Sequence, residues 1–273
     1  MRISLLCNRD LASNYALNHL LPELAEQHSL QVFLSSQVGA AKATGTDLDT
    51  LKFYEQGLFN DILFPALDES SSEAESGAEL LTFHGLSRYT TSAVSTLNRI
   101  NSDESLATLR ASQPDLILSI RYGGILHEHA IAIPRLGVIN LHSGVLPDYR
   151  GVMATFRALA AGEDKLGCTL HYISDAKIDT GAVIAQTQQA SQAEQSYLQQ
   201  VLNLYPTACS ELLAAVQQLN DGHKLPAQPQ TGVGTYYSFP DNKDLQDFTL
   251  RGLRLYDAQH ITQFAKRYMG ATR

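Results

Sequence analysis

The sequence predicts an α/β protein with a Rossmann-like, doubly wound and mostly parallel sheet, followed by a small C-terminal appendage. Short, nearly continuous apolar runs are typical of strands buried on both faces of such a sheet. Four of them stand out, at Ile3–Cys7, Leu30–Ser35, Leu116–Ile120 and Gly137–His142. Segments with helical periodicity separate these runs, as in βαβ units. Beyond Gly222, Pro, Gly and aromatic residues replace this pattern.

The chain begins with a strand, a loop and a helix. The polar loop Asn8–Asn14 follows the first strand, and an apolar helical face begins at Leu17. Asp10 and Ser13 are both suitable N-cap residues. The loop has no glycine-rich fingerprint, which argues against a dinucleotide site.

A long helical pattern and a short tail complete the chain. Glu194–Leu219 has helical periodicity, and we expect Pro206 to divide that helix. In the tail, Thr235–Pro240 resembles a strand, and two short helices are predicted at Lys243–Leu250 and Asp257–Met269. We therefore predict a catalytic domain over residues 1–222 and an appendage over residues 223–273.

Composition limits the classes of partner. The 273 residues are 44% apolar and 18% charged, with a net charge of −8 and no basic cluster denser than Lys266–Arg267. A nucleic-acid partner requires a positive surface, so we expect none. The three cysteines are widely spaced, and the first strand begins at once without a signal peptide. These features, with no apolar run near the ~20 residues that span a bilayer, predict a cytoplasmic protein without membrane contact.

Polar side chains mark the end of the strand Gly137–His142. Asn140 and His142 lie on the same face of it, because side chains alternate along a strand. A carboxylate follows in the turn Asp175–Gly181, where Asp179 precedes another strand. An amide, an imidazole and a carboxylate at the ligand-binding edge of a parallel sheet can act together on one carbonyl group.

The same region resembles the 10-formyltetrahydrofolate-dependent formyltransferases. The motifs that carry the resemblance are Asn140-Leu141-His142, Leu146-Pro147-Asp148-Tyr149-Arg150-Gly151, Gly167-Cys168-Thr169-Leu170-His171 and Asp175–Gly181. An ordered set of motifs is more specific than any single one. It covers about the middle third of the chain, from Leu116 to Gln186. One departure is Gly144, where the family usually has Ser.

The resemblance implies the fold, the donor and most of the site. The catalytic residues would be Asn140, His142 and Asp179. The folate contacts would be Arg121, Tyr122, Gly123, Ile125 and Asp175. The acceptor contacts would be Asn8, Arg9 and Asn14. Arg150 is a further candidate, for a substrate phosphate or carboxylate. Three alternatives stay open: helix capping at the first loop, a simple strand-to-helix turn at Arg121–Ile125, and a surface ion pair at Arg150.

We therefore expect an N-formyltransferase of one-carbon metabolism. The formyl donor would be 10-formyltetrahydrofolate, and no metal is expected. The acceptor would be a small-molecule amine, with a nucleotide-linked amino sugar favoured and a homodimer possible. Two alternatives remain: a hydrolase that transfers the formyl group to water, and a folate- or nucleotide-binding protein without activity. We expect His171, in mid-strand, to be a packed, hydrogen-bonded residue.

Overall fold

A seven-stranded sheet forms the centre of the molecule. The computed structural model describes residues 1–36, 46–70 and 77–270. The strands of this sheet are β1 (Arg2–Asn8), β2 (Ser29–Ser35), β3 (Ser95–Thr96), β4 (Leu116–Ile120), β5 (Val138–His142), β7 (Lys165–Ile173) and β8 (Val183–Ala190). A second, two-stranded sheet consists of β6 (Arg150–Gly151) and β9 (Tyr236–Tyr237).

The strand order confirms the predicted α/β class. The order is β3-β2-β1-β4-β5-β7-β8, with β1 to β5 parallel to one another. β7 is antiparallel to β5, and β8 is antiparallel to β7. The order reverses at β1, so the carboxyl ends of β1, β4 and β5 meet near the switch point where ligands bind in doubly wound sheets.

Helices cover the sheet. They are α1 (Leu11–Ala25), α2 (Thr46–Lys52), α3 (Phe64–Glu69), α4 (Asp103–Ala111), α5 (Glu128–Ile131), α6 (Ala154–Ala161), α7 (Tyr197–Asn220), α8 (Asn242–Leu250) and α9 (Ala258–Ala265). A π-helix, Phe53–Leu63, joins α2 to α3. Short 3₁₀ helices lie at Gly85–Tyr89 and Lys266–Tyr268. The side chain of Asp10 caps α1 by accepting a hydrogen bond from the Ser13 amide.

The expectation that Pro206 divides the long helix was wrong. α7 is continuous from Tyr197 to Asn220 with Pro206 inside it. Proline removes one backbone hydrogen bond. The neighbouring side chains Leu202 and Tyr205 are almost fully buried. Burial of such apolar side chains, at about 1.5–3 kcal/mol each, offsets the lost bond.

The tail packs on the body of the protein. Phe248 of α8 stacks on Phe156 of α6, with ring centroids 4.5 Å apart. The Tyr268 hydroxyl donates a hydrogen bond of 2.6 Å to the Asn14 side chain of α1. Both tail residues belong to the same buried cluster as the central sheet. The division at residue 222 stays a prediction.

Candidate functional site

β5, the last of the parallel strands, carries the polar side chains of Asn140 and His142 near its carboxyl end. In the register with β7, Asn140 lies opposite His171 and His142 lies opposite Thr169. Asn140 and His142 share a face because they are two residues apart on one strand. The residues between and before them, Leu141 and Ile139, are buried on the opposite face and fix β5 in the core.

Asp179 reaches these side chains from the loop between β7 and β8. Its Oδ2 lies 3.5 Å from His142 Nδ1, and its Oδ1 lies 3.5 Å from Asn140 Nδ2. The Gly151 amide donates a hydrogen bond of 2.8 Å to Oδ2. The structure therefore brings Asn140, His142 and Asp179 together, and only 9% of the Asp179 side chain is exposed.

Both ring nitrogens of His142 face oxygen atoms. Nε2 lies 2.7 Å from the Tyr149 carbonyl oxygen, and Nδ1 faces the Asp179 carboxylate. A carbonyl oxygen can only accept, so Nε2 must carry a hydrogen to bond there. A hydrogen on Nδ1 as well avoids opposing its lone pair to a carboxylate. In this arrangement both ring nitrogens of His142 face groups that can accept a hydrogen bond.

The Asp179 carboxyl is held in its ionised form. Burial raises its pKa, but the neighbouring His142, His171 and the Gly151 amide outweigh burial and lower the pKa to about 2. A carboxylate that is ionised at neutral pH stabilises positive charge on a neighbouring imidazole ring. The catalytic role of Asp179 stays a prediction.

His171 is a fourth member of the site that the catalytic prediction did not include. Its Nε2 lies 3.1 Å from Asn140 Nδ2 and 3.3 Å from Asp179 Oδ1, and the side chain is 1% exposed. Its Nδ1 lies 2.9 Å from the Tyr172 carbonyl oxygen, which must accept a hydrogen from it. His171 is packed and hydrogen-bonded, as expected. The antiparallel pairing of β7 with β5 places it opposite Asn140, and the sequence alone did not reveal that register.

The departure at Gly144 has a steric reason. A Cβ atom at this position would lie 2.6 Å from Ala154 Cβ, 2.7 Å from His142 Nε2 and 2.9 Å from the Tyr149 carbonyl oxygen. These distances are well below ordinary carbon contacts. A serine therefore does not fit here unless Ala154, His142 and Tyr149 all shift.

Arg150 is held by the tail of the chain. Its Nη2 donates to Gln230 Oε1 over 2.7 Å, and its Nη1 donates to the Val233 carbonyl oxygen over 2.8 Å. The predicted surface ion pair is therefore not what holds this side chain. Its backbone also pairs with the tail, since the Arg150 amide donates to the Thr235 carbonyl oxygen. The role of Arg150 in substrate binding stays a prediction.

The predicted folate contacts lie in two turns. Gly123 donates its amide to Ser35 Oγ over 2.9 Å, and the Tyr122 hydroxyl donates to the Leu97 carbonyl oxygen over 2.6 Å. Ile125 is 48% exposed and offers an apolar surface at this turn. Asp175, in the other turn, is exposed and accepts a hydrogen bond from the Lys177 amide.

Arg121 bonds to acidic side chains other than the predicted catalytic Asp179. Its Nε donates to Asp10 Oδ2 over 2.9 Å, and Nη2 lies 3.4 Å from Glu55 Oε1. Burial raises the pKa of Glu55 to about 7, although the charge of Arg121 opposes this shift. Arg121 therefore connects β4 to the start of α1 and to the π-helix.

The three acceptor candidates of the first loop differ in burial. Asn8 is fully buried and donates to Asp10 Oδ2 over 2.8 Å. Asn14 is fully buried as well and accepts from the Tyr268 hydroxyl. Arg9 is half-buried, with its guanidinium 5.8 Å from the centre of the Phe83 ring. Helix capping at this loop is thus performed by Asp10, with Asn8 bonded to it, while Asn14 lies inside α1. Acceptor binding by all three residues stays a prediction.

Metal-binding clusters and membrane-spanning helices are both absent from the described part of the chain. Within residues 1–36, 46–70 and 77–270, no group of three or more His, Cys, Asp or Glu side chains is arranged to hold a metal ion. Among the helices of the same residues, none combines the length and the apolar character needed to cross a membrane.

Comparison with known proteins identifies a related family. Residues 71–204 match the family model described as Formyl transferase. The methionyl-tRNA formyltransferase of Burkholderia vietnamiensis is 33% identical over 135 residues, which cover 50% of this chain and 41% of the relative. The chain spans less than half the length of the curated relatives that it matches.

Solved structures share the fold at low sequence identity. A phosphoribosylglycinamide formyltransferase from Anaplasma phagocytophilum superposes with a TM-score of 0.55 and 19% identity, covering 86% of this chain and 98% of that one. An N-formyltransferase from Helicobacter canadensis, in complex with folinic acid and dTDP-3-aminofucose, gives a TM-score of 0.52 and 13% identity, covering 89% and 72%.

Proposed function

Because residues 71–204 of this chain belong to the formyl transferase family, we propose that the protein transfers a formyl group from 10-formyltetrahydrofolate to an amine. The observation that carries the proposal is the convergence of Asn140, His142 and Asp179 within 3.5 Å at the carboxyl edge of the sheet. The cytoplasmic location and the homodimer stay predictions.

The chain's own residues perform the proposed chemistry through charge and position. The folate supplies the activated formyl group when bound. The amide of Asn140 and the imidazolium of His142 donate to the formyl oxygen as negative charge develops there. A preorganised donor of this kind contributes about 3 kcal/mol to lowering the barrier. Asp179 lies beside His142 and takes up the excess proton of the attacking nitrogen, directly or through water. The bond from the formyl carbon to N10 of the folate then breaks, and N10 leaves with a proton, so that the products are the formylated amine and tetrahydrofolate.

His142 and Asn140 must each give up one present hydrogen bond before they can donate to the formyl oxygen. His142 Nε2 now donates to the Tyr149 carbonyl oxygen, so that bond has to open before Nε2 can serve the formyl oxygen. Asn140 Nδ2 has two hydrogens, and its contact with Asp179 Oδ1 at 3.5 Å is the longer of its two. That weaker contact is the one we expect the formyl oxygen to replace.

A nucleotide-linked amino sugar is the acceptor that we propose. Tyr236 is 55% exposed, and its ring lies directly against Gly151, whose amide binds Asp179. An exposed ring at this place can stack on a base or a sugar. Tyr237, in contrast, stacks on Tyr149 and lies under Arg157, which anchors the tail. The complex of the Helicobacter canadensis protein with an amino sugar agrees with this choice.

The test is a transfer assay with 10-formyltetrahydrofolate and a panel of amines, including nucleotide-linked amino sugars, read by mass spectrometry. We expect formylated sugar with the wild-type protein and a loss of about 100-fold or more for Asn140→Ala. Asn203→Ala, on the exposed face of α7, is the matched control and should act like the wild type.

The same assay separates the alternatives. Formate release that is equally fast without any amine would identify a hydrolase. Folate binding that survives Asn140→Ala, with no wild-type turnover on amines or water, would identify a binding protein without activity. Either result would refute the proposed transfer.

A further inference from the structure

The side chain of Gln230 connects the tail to the loop that carries Asp179. Its Nε2 donates two hydrogen bonds of 2.8 Å, to the carbonyl oxygens of Asp179 and Gly181. Its Oε1 accepts from Arg150 Nη2 over 2.7 Å and from Arg150 Nε over 3.3 Å. A primary amide has two donor hydrogens and two acceptor sites, so all its capacity is used here.

The backbone of Asp179 requires such support. Its φ angle is 54°, in the left-handed region that side-chain-bearing residues rarely occupy. A strained residue keeps its conformation only when its surroundings fix it, at a cost of about 1–3 kcal/mol. On one side, a Cβ at Gly181 would lie 1.7 Å from the Tyr172 carbonyl oxygen, so the loop lies directly against β7. On the other side, Gln230 holds the two carbonyl groups.

Gln230 also holds the segment that contacts the Asp179 carboxylate. Arg150 precedes Gly151, whose amide donates to Asp179 Oδ2 over 2.8 Å. Gly151 has a φ angle of 92°, and a Cβ there would lie 2.2 Å from the Tyr237 carbonyl oxygen. The tail is thus in van der Waals contact with this segment. One amide therefore joins the backbone of Asp179 to the segment that binds its carboxylate.

We propose that Gln230 is a positioning residue for Asp179, acting through the Asp179–Gly181 backbone and through Arg150. This inference rests on the proposed formyl transfer, in which Asp179 acts on His142. Gln230 lies outside residues 71–204, the segment that matches the family. The tail would therefore complete the site that the matched segment begins.

Two substitutions distinguish the role of the Gln230 NH₂ donor from that of its oxygen acceptor. Gln230→Ala removes both sets of hydrogen bonds. Gln230→Glu keeps an acceptor for Arg150 but replaces the NH₂ donor with an oxygen that faces two carbonyl oxygens. Gln228→Ala is the matched control, because Gln228 lies in the same segment with its side chain exposed.

We expect kcat to fall about 10- to 100-fold in both Gln230 variants, since a displacement of about 1 Å in an active site costs about that much. The KM for the formyl donor should change less than about threefold, because Gln230 bonds to Asp179, Gly181 and Arg150, whereas four of the five predicted folate contacts lie in the turn Arg121–Ile125. Gln228→Ala should keep the wild-type kcat. Wild-type kcat in Gln230→Glu would overturn the inference, and so would an increase in KM with kcat unchanged.

Hydrogen exchange measures the positioning without the reaction. Amides in a peptide spanning residues 176–183 should exchange faster in both Gln230 variants than in the wild type and in Gln228→Ala. Unchanged exchange would overturn the inference. A wild-type protein that formylates nothing would refute the proposed function, while the exchange data would still decide whether Gln230 fixes the loop.

Discussion

Replacing Asp179 with asparagine should change how the stability of the protein depends on pH. The pKa of this carboxyl falls from 3.8 to about 2 in the folded protein. A depressed pKa means that the carboxylate stabilises the fold above about pH 4, and that this stabilisation is lost as the pH falls towards about 2. Each pKa unit corresponds to about 1.4 kcal/mol, so the complete loss is about 2.5 kcal/mol.

Part of this loss falls in a range that can be measured. With these two pKa values, the folded state loses about 1 kcal/mol of stability between about pH 5 and about pH 3. The side chain is only 9% exposed, so solvent screening reduces the figure little. The amide introduced by Asp179→Asn cannot titrate, so the difference in stability between the wild type and this variant should shift by the same amount.

Urea unfolding of both proteins at the two pH values is the measurement. Asp148→Asn is the control, because Asp148 is exposed on the neighbouring loop. The free energy of unfolding of Asp148→Asn should differ from that of the wild type by the same amount at both pH values, to within the error of the fit. A constant difference for Asp179→Asn as well would refute the reasoning, because it would mean that His142 and Gly151 do not stabilise the carboxylate.

Three further variants test separate contacts. His171→Ala removes the partner of Asn140 Nδ2 and should lower kcat about 10-fold or more, with little change in the KM for either substrate. Gly144→Ser should lower the midpoint of thermal unfolding, because its Cβ would lie 2.7 Å from His142 Nε2. Tyr236→Ala should raise the KM for the acceptor and leave folate binding unchanged, as stacking on one ring contributes about 1 kcal/mol. An unchanged kcat, midpoint or acceptor KM, respectively, would contradict each expectation.

The part of the site that lies on β5 could be predicted because it depends on local periodicity. Alternation along a strand places Asn140 and His142 on one face whatever the rest of the chain does. The parallel sheet places that strand end at a ligand-binding edge. Asp179 could be predicted only with the help of the family motif, because nothing local fixes where a loop between two strands comes to lie.

The remaining contacts depend on pairings between distant segments. His171 faces Asn140 because β7 is antiparallel to β5. The register of such a pair cannot be predicted from the sequence of either strand alone. Gln230 reaches Asp179, 51 residues earlier in the chain, because the backbone of Gln228 pairs with Val183 at the start of β8. A polar residue in a Pro- and Gly-rich segment gives no signal for such a contact, so sequence reasoning placed it in a simple appendage.

The contacts around Asp179 also indicate which bond has to open in turnover. The carboxylate contacts His142 and the Gly151 amide, and its own carbonyl oxygen accepts a hydrogen bond from Gln230. Removing any one of these leaves a buried charge or a strained backbone less well supported, which is costly. The bond from His142 Nε2 to the Tyr149 carbonyl oxygen is different, because it involves neither the Asp179 carboxylate nor the Asp179 backbone. Substrate can therefore take the place of the Tyr149 carbonyl while His142 and Gly151 keep their contacts with the carboxylate, and the only contact that the carboxylate gives up is the long one with Asn140.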